Sequence, residues 1–549
     1  MRSSAWYPPS PCGLLSLPLL LLFSVLVILC SPAADAINPI VIKGYKFFDS
    51  VTKNEFFVKG VAYQPRTSVV DPLAQPTACQ RDIPLMQKLG INVIRVYQVD
   101  PTLNHDDCMK AFESAGIYLI LDLTSPNNSI DRSKPSYDLS LYKALTATVD
   151  AFSSYPNTMA FFGGNEVTNN NTNTDASAFV KASIRDIKAY IKATKSRYIP
   201  VGYSSNDDAD IRDQLDAYFD CGDPTEQVRN VGYVSELENH FYKLNTQACS
   251  IHCIFTIDKV DFYGLNLYEW CGTTVNFQTS GYANRTLTFS TYNIPVILSE
   301  YGCNLVTPRV FAEVATIYSS NMTDVWSGGI VYEWTEEANN YGLVQIDQAT
   351  GQVTTLTDYD NLQKALAGVS PNGVNMDQFS SSRQGQPCPP ASSSWRASTK
   401  LPPTPSEAVC TCMVSSLSCV SNGQVTMNDS VGKQLGIVCG MTSCADITVD
   451  GTQGLYGKYS FCAPIDKLSY VYNAYYVAQK KVPQACQFSG YAQTATPQRQ
   501  SDQGCTDLTA GRNATTNSTT SATSSTRWRF RGCAVAGASL LSAGVLALG

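Results

Sequence analysis

The chain has 549 residues, of which 44% are hydrophobic and 15% charged, and its formal net charge is −7. This length suffices for roughly two to four domains of about 150 residues, or for a larger α/β barrel with smaller modules. The mildly acidic charge balance, without a block of Lys and Arg, argues against a nucleic-acid partner. With only 3 histidines in the sequence, a Ser-His-Asp hydrolase or a multi-histidine metal site is disfavoured.

Residues 1–36 have the features of a secretory signal peptide. Arg2 precedes an apolar run over 14–29, and Ala34-Asp35-Ala36 forms a small-x-small cleavage signal that makes Ile37 the first mature residue. A signal anchor that stays in the membrane is the alternative, which the short apolar run disfavours. The 19 cysteines agree with secretion because disulfides accumulate in oxidising compartments.

From Phe56 to about Leu343, short β-rich apolar runs alternate with helical or loop segments, the pattern of βα units around a parallel sheet. This pattern predicts an α/β fold with a (β/α)8 TIM barrel, and we assign residues 37–370 to the barrel domain. Asp175 is the predicted N-cap of a helix over Ala176–Thr194. The candidate strands are Phe57–Gln64, Asn92–Gln98, Tyr118–Leu123, Ala160–Gly164, Tyr198–Tyr203, Val260–Leu267, Pro295–Ser299 and Gly329–Trp334.

The chain beyond the barrel divides into a linker, a cysteine-rich module and a stalk. Residues 371–409 are rich in Pro, Ser and Gln and form the predicted linker. Eight cysteines over residues 410–505 indicate a small disulfide-stapled module, and we leave open which of the 105 possible pairings they adopt. Residues 506–526 form a Ser/Thr-rich stalk, in which Asn513 and Asn517 stand in glycosylation sequons.

Residues 527–549 are typical of a GPI-attachment signal that is removed, since small residues and a polar spacer precede a terminal apolar tail. A tail-anchor helix is the alternative, although this Gly-, Ala- and Ser-rich tail is marginal for spanning about 30 Å of hydrocarbon. Without Cys12, Cys30 and Cys533 of the two terminal segments, sixteen of the 19 cysteines remain. That even number suits complete pairing.

Two glutamates are predicted at the C-terminal rim of the barrel, where barrel enzymes carry out their chemistry. The fourth candidate strand ends in Asn165-Glu166 and the seventh in Ser299-Glu300. Glycoside cleavage needs one protonated carboxyl group that protonates the leaving oxygen, and one ionised carboxylate that attacks the sugar or activates water. A lone glutamate after a strand is usually a solvated strand end. Two of them, one preceded by asparagine and both flanked by aromatic residues, predict a glycosidase site.

Five strings of the barrel domain carry a family resemblance, at 59–64, 164–169, 203–212, 266–272 and 299–304. Through them the chain resembles the fungal β-1,3-glucanosyltransferases of glycoside hydrolase family 72. The module, through residues 454–462, resembles the carbohydrate-binding module of one subgroup of that family. The resemblance extends over nearly the whole mature chain.

The resemblance implies a retaining enzyme that cleaves a β-1,3-glucan chain internally and transfers the released segment to the non-reducing end of another chain, which elongates cell-wall glucan. It makes Glu166 the acid/base and Glu300 the nucleophile, with carboxyl groups about 5–5.5 Å apart. It places sugar-binding residues at Tyr97, Asn165, Asp207, Arg212 and Tyr332, and more weakly at Gln64, Asp122, Tyr268 and Tyr341. Core packing is the alternative for Tyr97 and Tyr332.

The expected partners are β-1,3-glucan donor and acceptor chains, together with the plasma membrane, on whose outer face a GPI anchor would hold the protein; the cell wall is a second location. No cofactor and no metal are expected. The residues alone lead only to a two-glutamate glycosidase, and transfer rests on the resemblance. A plain β-1,3-glucan hydrolase and a non-catalytic glucan-binding wall protein remain alternatives.

The family pattern further implies the disulfides Cys79–Cys108, Cys221–Cys388 and Cys271–Cys303. Residues 228–257 depart from it as an insertion before the sixth strand. We interpret the insertion as a retained intron, with a genuine surface loop as the alternative. Its Cys249-x-x-His252-Cys253 spacing lacks a fourth ligand and predicts no metal site; its other histidine is His240.

Overall fold

The computed structural model describes residues 37–64, 71–222, 258–425 and 428–507. The predicted signal peptide, the insertion at 228–257, nearly all of the predicted stalk with its sequons and the predicted GPI signal lie outside the described residues. Among the helices of these ranges, none combines the length and the apolar composition that a membrane crossing requires. Within the same ranges, no three or more His, Cys, Asp and Glu side chains are grouped so as to hold a metal ion.

The described ranges contain strands of two to eight residues. In chain order they are β1 Ile40–Lys43, β2 Lys46–Asp49, β3 Val58–Ala62, β4 Val93–Val96, β5 Tyr118–Asp122, β6 Thr158–Asn165, β7 Val201–Ser205, β8 Tyr263–Asn266, β9 Val296–Tyr301, β10 Trp326–Val331, β11 Val344–Ile346, β12 Val353–Thr355, β13 Cys419–Ser421, β14 Val449–Asp450, β15 Leu455–Tyr456 and β16 Ala492–Thr494.

Helices follow most of the barrel strands and also build the module. They are α1 Pro76–Leu89, α2 Asp106–Ser114, α3 Leu139–Phe152, α4 Ala176–Thr194, α5 Arg212–Asp220, α6 Tyr282–Phe289, α7 Val314–Ile317, α8 Thr357–Ala367, α9 Glu407–Val414, α10 Asn428–Cys439 and α11 Pro464–Ala478.

Strands β3 to β10 pair side by side in parallel and close into a barrel, with β10 against β3. This confirms the predicted TIM-barrel fold, because every candidate strand overlaps one of these strands with boundaries shifted by a few residues. Their apolar runs are nearly continuous since a parallel sheet covered by helices is buried on both faces. Gly264 on β8 illustrates how tightly the interior packs, because a Cβ there would lie 2.6 Å from Ser299 Oγ.

An N-terminal hairpin, which we did not predict, covers one end of the barrel. Strands β1 and β2 pair antiparallel. Phe47 on β2 is fully buried, and its ring lies 5.8 Å from that of Phe262, which precedes β8. Phe47 belongs to the same buried cluster as Val58 and Val93, which begin barrel strands. The hairpin therefore closes the N-terminal end of the barrel and leaves the opposite rim for chemistry.

Helix α4 has the predicted bounds, but the predicted N-cap role of Asp175 is wrong. Asp175 has helical backbone angles, and its side chain makes no capping hydrogen bond. Its Oδ1 instead accepts a hydrogen bond from Arg396 of the linker at 2.8 Å. An ion pair with a residue far along the chain has replaced the local cap, and a helix pattern cannot reveal that exchange.

The module is stapled by disulfides and rests on the barrel. Its pairs are Cys410–Cys462, Cys412–Cys505, Cys419–Cys486 and Cys439–Cys444. The backbone of Leu139, at the start of α3, donates to the carbonyl of Phe461 in the module at 2.8 Å. Arg185 on α4 donates to the carbonyl of Pro402 in the linker at 2.9 Å. These bonds hold linker and module against the outer helices.

Three further disulfides lie in the barrel domain and its linker, and they are the same pairs that the family pattern implies. They are Cys79–Cys108, Cys221–Cys388 and Cys271–Cys303. The second joins residues 167 positions apart and attaches the linker to the end of α5. Closing so long a loop removes much conformational freedom from the unfolded chain.

Asp216 on α5 is a buried carboxyl group whose pKa is raised to about 8, chiefly by burial. The Tyr263 hydroxyl donates to its Oδ1 at 2.7 Å, and Arg285 lies 3.7 Å from its Oδ2, but these two favourable contacts do not offset the loss of hydration. In the unfolded chain an aspartate titrates near pH 4. Between about pH 4 and 8 the folded chain thus binds a proton that the unfolded chain has released, so stability falls as pH rises.

Asp216→Asn imitates the protonated carboxyl group, and we expect it to weaken the loss of thermal stability between about pH 5 and pH 8. The largest slope that one proton can produce is about 1.4 kcal/mol per pH unit. Thermal unfolding of both proteins across this range measures the difference. Asp360→Asn, at an exposed carboxylate on α8 that is not among the groups affecting Asp216, is the control. Equal pH slopes in the wild type and Asp216→Asn would contradict the buried-proton explanation.

Candidate active site

The two predicted glutamates lie at the C-terminal rim of the barrel. Glu166 follows β6 directly, and Glu300 is the penultimate residue of β9, where it is 8% exposed. Burial raises the pKa of Glu300 and the Glu166 charge raises it further, so the two carboxyl groups share one electrostatic environment. The disulfide Cys271–Cys303 joins the segments that follow β8 and β9. The expected spacing of about 5–5.5 Å between the carboxyl groups stays a prediction.

A fully buried arginine, Arg95 on β4, connects the groups of the rim. Its Nε and Nη2 donate to the two oxygens of Asp122 at 3.0 and 2.9 Å. Its Nη1 lies 3.3 Å from Glu300 Oε1, and its Nη2 donates to Asn165 Oδ1 at 3.0 Å. The planar guanidinium thus orients three side chains at once, which a lysine could not do.

Glu300 is held by hydrogen-bond donors on both oxygens. Tyr97 Oη donates to Oε1 at 2.9 Å, and Tyr268 Oη donates to Oε2 at 2.8 Å. Burial raises the pKa of Glu300, whereas Arg95 and the two tyrosine hydroxyls oppose that rise because they bond to the ionised form. The arrangement supports an oriented carboxylate in a largely dehydrated position.

Glu166 occupies an unusual backbone conformation, with φ of 47°. Its backbone N–H donates to the carbonyl of Ser204 at 2.8 Å, and Arg132 donates to its carbonyl at 2.8 Å. The Nδ2 group of Asn266 donates to the Glu166 carboxyl at Oε1, also at 2.8 Å. Non-glycine residues in left-handed conformations persist where the surrounding structure holds them, and such residues concentrate at functional sites.

Four tyrosines form an edge-to-face cluster beside Glu300. Tyr332 lies 6.4 Å from both Tyr97 and Tyr268, and 5.2 Å from Tyr341, between ring centroids. Tyr268 and Tyr341 are 5.7 Å apart. The structure thereby brings these four predicted residues together with Glu300. Aromatic faces of this kind stack on apolar faces of ligands, while their hydroxyls bond polar groups.

Other predicted residues take different positions. Asp122 is 2% exposed, and both its oxygens accept from Arg95, so the geometry favours a positioning role over sugar contact. Gln64 is buried and accepts from the backbone of Gln98 at 3.1 Å. Asp207, on the loop after β7, pairs with Arg212 at 3.0 Å, and Arg212 Nη1 also lies 3.8 Å from Glu269 Oε1.

Sequence reasoning missed Arg95 and Asn266. A signal for Arg95 was present, because a charged residue inside a buried apolar strand is rare unless it is paired. Asn266 stands in the apolar stretch Tyr263–Leu267, where an amide also calls for a partner. Neither signal reveals which carboxyl group the side chain contacts.

The chain is similar to known proteins over most of its length. The family model described as Glucanosyltransferase matches residues 29–370, and the X8 domain model matches residues 417–493. The 1,3-beta-glucanosyltransferase of Arthroderma benhamiae is 43% identical over 505 residues, which cover 87% of this chain and 86% of the relative. The 1,3-beta-glucanosyltransferase gas1 of Schizosaccharomyces pombe is 43% identical over 471 residues, covering 84% and 79%.

Among solved structures, Gas2p of Saccharomyces cerevisiae in complex with laminaritriose and laminaritetraose is similar to this chain with a TM-score of 0.73. The two chains are 40% identical, and the match covers 83% of this chain and 96% of that one. The matched part is longer than the barrel domain, so the similarity extends beyond the barrel.

Proposed function

The chain belongs to the glucanosyltransferase family, and from that premise we propose how its residues perform the reaction. The protein is a retaining β-1,3-glucanosyltransferase: it cleaves a β-1,3-glucan chain and transfers the released segment to another chain. In our proposal Glu300 is the nucleophile and Glu166 the acid/base.

The first step forms a glucosyl-enzyme. A Glu300 oxygen attacks the anomeric carbon, and the glycosidic bond breaks with its electron pair on the departing oxygen. Glu166 gives its proton to that oxygen and becomes ionised. The Arg95 guanidinium and the hydroxyls of Tyr97 and Tyr268 keep the Glu300 carboxylate ionised and aimed before the attack.

The second step reverses these roles. A hydroxyl of the acceptor glucan attacks the anomeric carbon, its proton passes to Glu166, and the bond to Glu300 breaks to restore the carboxylate. Two displacements at one carbon retain the β configuration. Water at the same position would give hydrolysis, so an acceptor site must hold sugar well enough to compete with water.

The observation that carries this assignment is the set of donors on Glu300. A carboxylate that accepts from a buried arginine and from two tyrosines is oriented for attack, whereas a structural carboxyl group does not need the aromatic cluster beside it. We propose that Tyr97, Tyr268, Tyr332 and Tyr341 contact donor sugars. Because Arg95 and Asn266 hold the Asn165 oxygen at 3.0 and 3.2 Å, the Asn165 Nδ2 group is left to bond a sugar hydroxyl.

We propose that Asp207 and Arg212 bind sugar hydroxyls, with Gln64 as a weaker contact. Gln64 follows β3 and accepts from the backbone of Gln98, whereas Asp207 and Arg212 lie after β7, where Arg212 also comes within 3.8 Å of Glu269. Their ionic groups provide donors and acceptors for sugar hydroxyls.

Incubating the purified protein with a reduced laminari-oligosaccharide tests the function. Products longer than the substrate are expected. If only shorter products form, the protein is a hydrolase and not a transferase. If no product forms, only a glucan-binding role remains.

Tyr268→Phe tests the electrostatic role of the tyrosines. Removal of a donor to the ionised carboxylate raises the pKa of Glu300 further, and Glu300 must be ionised to attack. Activity is lost as pH falls through that pKa, so the acidic limb of the kcat/KM profile should move to higher pH, with a rate loss of about 10-fold at neutral pH. The matched variant Tyr341→Phe should leave the position of this limb unchanged. An unmoved limb in Tyr268→Phe would remove the proposed role.

We also propose that the protein is secreted and held by a GPI anchor attached between Asn517 and Ser525. The support is the order of small residues, polar spacer and apolar tail in the sequence. A phosphatidylinositol-specific phospholipase should release the protein from intact cells, and a chain ending at Thr526 should appear in the medium. If the phospholipase-treated protein and the truncated chain both stay on the membrane, the proposed anchor is contradicted.

A further inference from the structure

Asn266, the last residue of β8, is an amide built into the rim between the two glutamates. It is 4% exposed. Its Nδ2 group donates to Glu166 Oε1 at 2.8 Å and lies 3.2 Å from Asn165 Oδ1. Of the two oxygens of Glu166, Oε1 is therefore the one bonded to the barrel wall.

Two buried serines determine which way this amide faces. The hydroxyls of Ser204 on β7 and Ser299 on β9 lie 3.0 and 2.8 Å from Asn266 Oδ1, and 2.9 Å from each other. Each serine hydroxyl has one proton, so the two protons are distributed over these three contacts. In the reversed orientation, Asn266 Oδ1 would face the oxygens of Glu166 and Asn165, acceptor against acceptor. The observed orientation is therefore strongly favoured.

We propose that Asn266 is a positioning residue that determines which oxygen of Glu166 carries the transferable proton. This inference rests on the proposed function. A proton on Oε1 would meet the N–H of Asn266, so the acid form of Glu166 carries its proton on Oε2. That oxygen protonates the departing glucan oxygen, and it accepts the proton of the acceptor hydroxyl in the second step.

The same bond contributes to the chemistry. When Glu166 gives up its proton, Oε1 gains negative charge, and a hydrogen bond to an ionised group is stronger than one to a neutral group. The donor of Asn266 therefore stabilises the developing carboxylate more than the acid, which is the kind of interaction that raises a rate.

The test compares two donors in Asn266→Ala. A reduced laminari-oligosaccharide needs a proton on its leaving oxygen, and we expect its transfer to slow by about 10- to 100-fold. A 2,4-dinitrophenyl laminari-oligoside needs no such proton, and formation of its glucosyl-enzyme, followed as a burst of dinitrophenolate, should change less than about threefold. The basic limb of the kcat/KM profile for the natural donor should move to higher pH, because the Glu166 anion loses a donor. Equal slowing of both donors, or an unmoved limb, would overturn the proposal.

Two further variants complete the test. Asn266→Asp keeps the size of the side chain and an oxygen that accepts from the serine hydroxyls, but it places a second carboxyl group beside Glu166. The basic limb of the kcat/KM profile should therefore again move to higher pH. Asn206→Ala, on the same rim, removes an amide that donates to the backbone of Asn169 at 3.1 Å, and the ratio of the two donor rates should equal that of the wild type. A ratio shifted as in Asn266→Ala would overturn the proposal.

The experiments distinguish a failure of the proposed function from a failure of the role proposed for Asn266. A wild-type protein that elongates no oligosaccharide removes the transferase assignment, whatever the variants do. A wild-type protein that elongates, together with Asn266→Ala that slows both donors alike, removes only the role of Asn266.

Discussion

Glu300→Gln and Glu166→Gln are each expected to reduce glucan elongation by at least about 10³-fold, the largest effects predicted for this protein. An amide in place of the Glu300 carboxylate would be a poor nucleophile, and an amide in place of the Glu166 carboxyl group has no acidic proton to give. Elongation of a reduced laminari-oligosaccharide, measured by product length, checks both variants. Glucan binding should remain measurable because neither change alters the aromatic cluster beside Glu300.

The two variants should differ in how they respond to altered substrates. An activated dinitrophenyl donor needs no protonation, so it should restore glucosyl-enzyme formation in Glu166→Gln but not in Glu300→Gln. Glu313→Gln is the matched control, since Glu313 is a buried carboxyl group before α7 whose pKa burial raises to about 7, and it is not among the groups that bond to Glu166 or Glu300 in the described residues. Near-normal turnover in either active-site variant would remove the catalytic assignment.

Arg95→Met should have the second largest effect, on both activity and stability. Asp122 would remain buried without its bidentate partner, which costs about 3–5 kcal/mol of stability. Glu300 would lose a cation that favours its ionised form, so its pKa would rise and the acidic limb of activity would move to higher pH. We expect kcat to fall by about 10²- to 10³-fold, measured at a temperature where the variant is folded.

A double variant separates the two effects of Arg95. In Arg95→Met with Asp122→Asn, the buried Asp122 carboxylate no longer lacks a partner, so thermal stability should recover at least partly. Activity should not recover, because Glu300 and Asn165 still lack the guanidinium that orients them. Recovery of both together would show that Arg95 acts only on the fold.

Local patterns were enough to predict the barrel and to place the two glutamates on one of its rims. Each strand of a parallel barrel is buried on both faces, so its apolar run is visible without knowledge of its neighbours. Glu166 and Glu300 stand directly at the ends of such runs, and the closed order of strands puts both ends on one rim. The hairpin of β1 and β2 was missed because its burial depends on the barrel end that it covers.

Partners distant in the chain were not predictable in the same way. Arg95 and Glu300 are separated by 205 positions, and Asn266 and Glu166 by 100, so no spacing rule connects them. Asp175 shows the converse, since a valid local capping signal was overridden by Arg396. Asp122 was expected to face sugar, whereas the geometry directs its oxygens to Arg95.

The sequence by itself determined the (β/α)8 architecture, the cysteine-rich module and the pair of glutamates, because apolar periodicity, cysteine density and strand ends are local properties. Only the tertiary structure decided how the glutamates are held: Glu300 by Arg95 and two tyrosines, Glu166 by Asn266. The reason is that a buried polar group must find its partner across the barrel, and that partner is fixed by packing and strand register rather than by neighbours in the chain.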